Sequence, residues 1–211
     1  MKKYLWLLIL FLIPFKVYGT SSYIVMDADS KRVIEGANTQ EKKLIASTTK
    51  IMTALIALEN GALDEKIKVD KDVLKAYGSN IYIEIDEEIT LRDLLYGLLL
   101  RSGNDAAIEI ANVIAGSMDK FVQMMNDKAK EIGMNSTTFI NSSGLENEKK
   151  QGNTSTAYDM ALLMSYAINN KDFVEISGTK RHIATTNYKT YDWYNKNKLL
   201  KRKIMQIKNF G

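Results

Sequence analysis

From residue 51 to residue 58 this chain is apolar on nearly every face that a helix can present, through Ile51, Met52, Ala54, Leu55, Ile56 and Leu58. A helix with no face to give to water must be buried, so the rest of the chain has to be wrapped around it. The run begins near Ser47 and reaches Asn60-Gly61, where a glycine suits a helix C-terminus. One residue fits badly. Lys50 stands between Thr49 and Ile51 in this apolar surrounding, and a buried charge without a partner is costly.

The flanking segments supply the wrapping. Residues 22–26 read as a strand, 27–30 as a turn and 31–35 as the partner strand of a hairpin. Thr90 with Asp93 resembles a capping box that opens a helix over 91–100. Arg101-Ser102-Gly103-Asn104 breaks it with turn formers, and 105–115 is helical again up to Gly116. Ser117 caps a further helix that ends near Gly133, and 156–169 reads as another. A helical block preceded by a hairpin indicates an α+β fold, and 211 residues with 45% apolar content suffice for one domain with a packed core.

The first nineteen residues have a separate character. Lys2 and Lys3 precede an apolar run over 4–13 that Pro14 ends, and Val17-Tyr18-Gly19 offers a cleavage point. This is the pattern of a secretory signal peptide, with an uncleaved anchor as the alternative. Residues 1–19 are therefore expected to be a leader and the mature, exported chain to start near Thr20, with membrane association only through the leader if it is retained. Removing Lys2, Lys3 and Lys16 brings the net charge from +4 to +1, so the basic balance is no argument for nucleic acid. The run Lys198, Lys201, Arg202, Lys203 reads as a solvated surface.

Cysteine is absent and His182 is the sole histidine. That excludes disulfides, thiolate catalysis and Cys-type zinc sites, and it weakens any Ser-His-Asp scheme. No metal or cofactor is expected. If a serine is the nucleophile, its base must be something other than histidine.

Ser47-Thr48-Thr49-Lys50 offers that base. Residues three apart on a helix share a face, so the Ser47 hydroxyl and the Lys50 amine can meet. Free N–H groups at the helix start favour negative charge as an oxyanion forms. A hydroxyl needs its proton removed to attack. A lysine can take it only when neutral, and burial lowers its pKa in that direction. Ser-x-x-Lys is common, and a helix cap followed by an exposed lysine is the bland alternative. What favours the catalytic reading is the apolar segment around Lys50. Ser102-Gly103-Asn104 forms a second motif, a hydroxyl and an amide on a tight break between two apolar helices. A plain helix-breaking turn is its bland alternative.

Together the motifs resemble a family. Ala46-Ser47-Thr48-Thr49-Lys50 and Leu94-Leu95-Tyr96-Gly97-Leu98-Leu99-Leu100-Arg101-Ser102-Gly103-Asn104-Asp105-Ala106-Ala107 are similar to the low-molecular-mass penicillin-binding D-alanyl-D-alanine carboxypeptidases, peptidase family S11. Tyr23-Ile24-Val25-Met26-Asp27, Phe139-x-Asn141-x-x-Gly144-Leu145, Ser155-Thr156-Ala157-Tyr158-Asp159-Met160 and Asn195-x-Asn197-Lys198-Leu199-Leu200 follow in the family's order.

The resemblance implies a beta-lactamase/DD-peptidase-like fold, a helical lobe plus an antiparallel sheet. It implies that Ser47 is acylated by the D-Ala-D-Ala end of a peptidoglycan stem peptide, releasing D-alanine before water hydrolyses the acyl-enzyme. Lys50 would take the Ser47 proton, and Ser102 would relay one to the leaving amine. Asn104 would bind the substrate's amide backbone and help hold Lys50. Beta-lactams would trap Ser47 covalently, in the cell wall or periplasm.

The family's third motif, Lys-Thr-Gly or Lys-Ser-Gly on a strand after the Asn-x-Asn-Lys-Leu-Leu stretch, is not found in these 211 residues. Lys189-Thr190-Tyr191 precedes that stretch and lacks the glycine, and Ser177-Gly178-Thr179-Lys180 has another order. Ile207-Lys208-Asn209-Phe210-Gly211 is readable as a degraded or frameshifted remnant. Residues 20–211 are thus expected to be a catalytic domain that lacks this motif and the later strands. That leaves the N-terminal hairpin without sheet partners and exposes an apolar patch on one face of Ser47's helix. Two other readings stand beside the carboxypeptidase: a truncated product or cell-wall-binding pseudoenzyme, and a class A-like beta-lactamase. The last would want Ser-Asp-Asn at 102–104 and a deacylating glutamate.

Overall fold

The structure is a computed structural model, and it describes residues 21–201. Residues 1–19, expected to be a leader, lie outside the described residues, as do Arg202, Lys203 and the closing stretch 207–211. Along the chain come β1 (Tyr23–Met26), β2 (Val33–Ala37), β3 (Lys43–Leu44), a 3₁₀ turn (Ala46–Thr49), α1 (Lys50–Asn60), β4 (Lys66–Lys68), a 3₁₀ turn (Lys71–Lys75) and β5 (Glu88–Thr90). Then follow α2 (Leu91–Arg101), α3 (Asn104–Ala115), α4 (Met118–Glu131), β6 (Thr154–Ser155), α5 (Ala157–Ala167), α6 (Lys171–Gly178), β7 (Arg181–Thr185), β8 (Thr190–Tyr194) and a 3₁₀ turn (Lys198–Lys201).

α1 is the axis, as its all-round apolarity requires. Met52, Ala54, Leu55, Ile56 and Ala57 are at most 1% exposed. α2 packs on it through Leu94, Leu95 and Leu98, and α3 through Ala106, Ala107 and Ile110, each at most 1% exposed. The small residues of α3 let the helix backbones approach closely, and each fully buried Leu or Ile contributes about 1.5–3 kcal/mol. Local signals set the ends. The Thr90 hydroxyl accepts the Asp93 N–H at 3.0 Å, Gly116 turns left-handed at φ 74°, and Thr156 caps α5 through the Asp159 N–H at 3.1 Å.

Gly61 is different. It ends α1 with extended backbone, φ −109°, so it is not a left-handed cap. Its lack of a side chain matters because a Cβ there would lie 2.2 Å from Leu91 Cδ2. The helix 171–178 and the hairpin β7–β8 were not anticipated. The hairpin packs its alternate residues Tyr191 and Trp193 inward.

Among the described residues the strands form four separate two-stranded antiparallel sheets: β1–β2, β3–β6, β4–β5 and β7–β8. Among the described residues the N-terminal hairpin β1–β2 pairs with no further strand. The apolar surface left open falls on this hairpin and on α5, however, rather than on α1. Val25 and Ile34 are 49% and 61% exposed, and an open groove of ≈ 650 Å³ runs between β1 and α5 along Tyr23, Val25, Met160 and Met164. No helix among the described residues is long and apolar enough to cross a membrane.

Candidate active site

The site forms where the chain enters α1. Ala46 has a left-handed backbone, φ 44°, unusual for a residue with a Cβ. A Cβ on Gly144 (φ 85°) would meet the Ala46 carbonyl oxygen at 1.8 Å, so only glycine allows the 139–145 loop to press against this turn. The result lifts Ser47 out: it is exposed, while Thr49 and Lys50 behind it are 0% and 3% exposed. Ser47 lies within the 3₁₀ turn, not at an α-helical N-cap, and the Lys50 N–H donates to the Ser47 and Thr48 carbonyls.

Three acceptors surround the Lys50 amine: Asn104 Oδ1 at 2.7 Å, the Ser143 carbonyl at 2.8 Å and Ser47 Oγ at 3.4 Å. Burial lowers its pKa to about 8; the nearby Lys196 adds to the lowering and Asp105 opposes it. Three acceptors accommodate the three hydrogens of the ammonium. Once a proton is lost, two hydrogens can stay on the two short acceptors, and the lone pair then faces the Ser47 hydroxyl. The longer third contact is of the kind that tightens when substrate binds.

Each partner is itself held. Asn104 Nδ2 donates to the Tyr77 carbonyl at 2.6 Å, so both ends of this amide are engaged within the protein, and holding Lys50 is the role that its geometry carries most directly. The Ser143 carbonyl is presented by a loop built on two asparagines. Asn141 Oδ1 accepts the Gly144 N–H at 2.7 Å. Asn153 Nδ2 donates to Thr49 Oγ1 and to the Asn141 carbonyl, both at 2.9 Å. Asp105, next to Asn104 and 3% exposed, accepts the N–H groups of Ile81 at 3.0 Å, Tyr82 at 2.6 Å and Ile83 at 3.3 Å. Ser102 caps α2 in left-handed conformation, φ 63° and ψ 41°. It shares with Ser47, Lys50, Ile51 and Leu98 a cleft of ≈ 320 Å³.

The four residues singled out from the sequence, Ser47, Lys50, Ser102 and Asn104, thus converge. Ser143, Asn153 and Asp105 were missed. Of these, Asn153 and Asp105 carried a weak signal as polar residues in stretches that otherwise read as core or turn.

The arrangement has relatives. The family model for D-alanyl-D-alanine carboxypeptidase matches residues 16–210. The chain is 35% identical over 190 residues to D-alanyl-D-alanine carboxypeptidase DacF of Bacillus subtilis, covering 87% of this chain and 48% of that protein. It is 32% identical over 175 residues to the D-alanyl-D-alanine endopeptidase of Escherichia coli, covering 82% and 55%. The structure aligns with a crystal structure of D-alanyl-D-alanine carboxypeptidase from Mycobacterium tuberculosis at a TM-score of 0.81 and 32% identity, covering 87% of this chain and 69% of that one. With the mutant Streptomyces K15 DD-transpeptidase S216A the TM-score is 0.77 at 29% identity, covering 85% and 75%. The chain spans about half the length of the curated relatives it matches. By sequence, by fold and by the order of its motifs, the chain belongs to the D-alanyl-D-alanine carboxypeptidase family, peptidase S11.

Proposed function

We propose that this protein is an exported serine-type D-Ala-D-Ala carboxypeptidase acting on peptidoglycan stem peptides in the cell wall or periplasm. The observation that carries the reading is the buried Lys50 amine, 3.4 Å from the exposed Ser47 hydroxyl and fixed by Asn104 and Ser143. The neutral amine takes the Ser47 proton as the oxygen attacks the carbonyl carbon of the penultimate D-alanine. The C–N bond then breaks, and the terminal D-alanine leaves with a proton relayed through Ser102. Water, deprotonated in turn, hydrolyses the ester and frees Ser47. Asn104 holds Lys50 in place. Beta-lactams follow the first half of this path and stop at the ester. Asp105, the acidic group that acts on Lys50, spends its oxygens on the Ile81–Ile83 amides and is a poor candidate for the deacylating carboxylate of a class A-like beta-lactamase.

The test is release of D-alanine from a diacyl-D-Ala-D-Ala peptide. Two chains are compared: the 211 residues alone, and the same chain continued after Leu200 with a family segment carrying Lys-Thr-Gly. That segment supplies an oxyanion donor, so the extended chain is expected to be about 10² to 10³ faster. Ser47→Ala is expected to abolish release in both. Release that survives Ser47→Ala, or equal rates from the two chains, would contradict the reading or its account of the third motif, respectively.

A further inference from the structure

Beyond the four motif residues, a second cation is built into this site. The Lys196 N–H donates to the Leu100 carbonyl at 3.1 Å, which seats the residue against the end of α2. Its ammonium donates to Ser79 Oγ at 2.8 Å, and Ser79 Oγ donates onward to the Arg101 carbonyl at 3.1 Å. The Ser79 carbonyl accepts the Asn104 N–H at 2.8 Å, and Asn104 Oδ1 accepts from Lys50 at 2.7 Å. Lys196 is therefore joined to Lys50 through two intervening residues, although the two are far apart in sequence.

Its surroundings leave its charge uncompensated. Among the described residues the side-chain partner of Lys196 is a hydroxyl, not a carboxylate. Lys196 is an exposed residue; the modest burial of its amine, and after it the like charge of Arg101, lower its pKa. A lysine paired with a carboxylate would present little net field to its neighbours, whereas this one presents a positive field toward Lys50. Two charged groups act on Lys50 from the elements around it. Asp105 on α3 favours the ammonium, and Lys196 on the loop after β8 favours the amine. The Asp105 field is partly spent on the three backbone amides it accepts.

We propose that Lys196 is a positioning residue of this site: its ammonium, tethered by Ser79 to the segment that presents Asn104, readies the Lys50 amine to accept the Ser47 proton. The inference rests on the reading of Lys50 as the base for Ser47.

Two readouts keep the proposal and that reading apart. The first is direct titration of Lys50 in the full chain by its ¹³Cε resonance, assigned by loss in Lys50→Arg. Lys196→Gln is expected to move this titration to higher pH by roughly half a unit. Lys196→Arg, which keeps the charge, is expected to leave it in place. The second is the pH profile of acylation by a fluorescent penicillin, whose rising limb should move with the Lys50 titration. An unchanged Lys50 titration in Lys196→Gln overturns the proposal, whatever happens to acylation. Slower acylation at every pH with no shift would mark Lys196 as a substrate contact instead. A shifted titration in a chain that penicillin does not label sustains the link between the lysines and overturns the reading of Ser47.

Discussion

Lys50→Ala is expected to slow acylation of Ser47 by a penicillin by about 10³-fold at pH 8, because a positioned base contributes about 10² to 10⁴ in rate. The Ser47 hydroxyl stays exposed in the variant but keeps its proton. Lys50→Arg is expected to be no better, since a guanidinium remains charged at any working pH and cannot act as the acceptor. In the wild-type chain the rate should rise with pH as the ammonium loses its proton, with a midpoint at about 8, and then level off. At pH 6 only about 1% of the amine is neutral, so acylation should be roughly a hundredfold below its plateau. Stopped-flow acylation across that range checks both the size and the direction of the change. A flat profile would mean that Lys50 is not the group that titrates.

The same shift has a consequence for stability. The folded pKa of Lys50 lies below that of a free lysine, so the unfolded chain binds more protons between about 8 and the free value. Stability should therefore rise with pH across that window, and the cost of the buried ammonium is fully present below it.

Asp105→Ala is expected to be the most destabilising single change near the site. Asp105 is 3% exposed, and its carboxylate accepts three consecutive backbone N–H groups from Ile81, Tyr82 and Ile83. Leaving a buried donor unsatisfied costs about 1–3 kcal/mol, so losing all three should cost about 3–5 kcal/mol after partial rehydration. For a chain of this size that lowers Tm by about 10 °C. Tyr82 is held at φ 63°, a conformation that relaxes once its N–H has no partner. The loop leads directly from Ser79, whose carbonyl receives the Asn104 N–H, so activity should fall together with stability. Asp105→Asn keeps one acceptor and should fall between. Thermal unfolding followed by circular dichroism decides the matter, and an unchanged Tm in Asp105→Ala would show that water replaces the carboxylate without cost.

What the sequence could reveal was local. The apolar run over 51–58 marked the buried axis, and the caps at Thr90 and Ser117 marked helix starts, because those signals depend on residues within one turn of each other. Ser47 and Lys50 were legible for the same reason. Nothing local announces that the Ser143 carbonyl, 93 residues away, completes the shell of Lys50, or that Asn153 reaches back 104 residues to Thr49. Such bonds have no period and no spacing to read. The 3₁₀ entry at Ala46 was hidden too, since its strained backbone is imposed by the packing of Gly144 rather than by Ala46 itself. Gly61 shows the reverse case, a glycine kept for close packing against Leu91 where its position suggested backbone freedom. The β7–β8 hairpin was missed because its inward positions carry His182, Tyr191 and Trp193 in place of an aliphatic run, and its outward Arg181 and Asp192 pair across the strands at 2.7 Å.

The central claim is that Ser47 is the nucleophile and Lys50 its base. Peptide mapping by mass spectrometry after reaction with a penicillin tests it most directly. The account predicts one covalent penicilloyl adduct on the peptide containing Ser47, none in Ser47→Ala, and a greatly reduced yield in Lys50→Ala. An adduct on any other residue, Ser102 included, or equal labelling of wild type and Ser47→Ala, would contradict it.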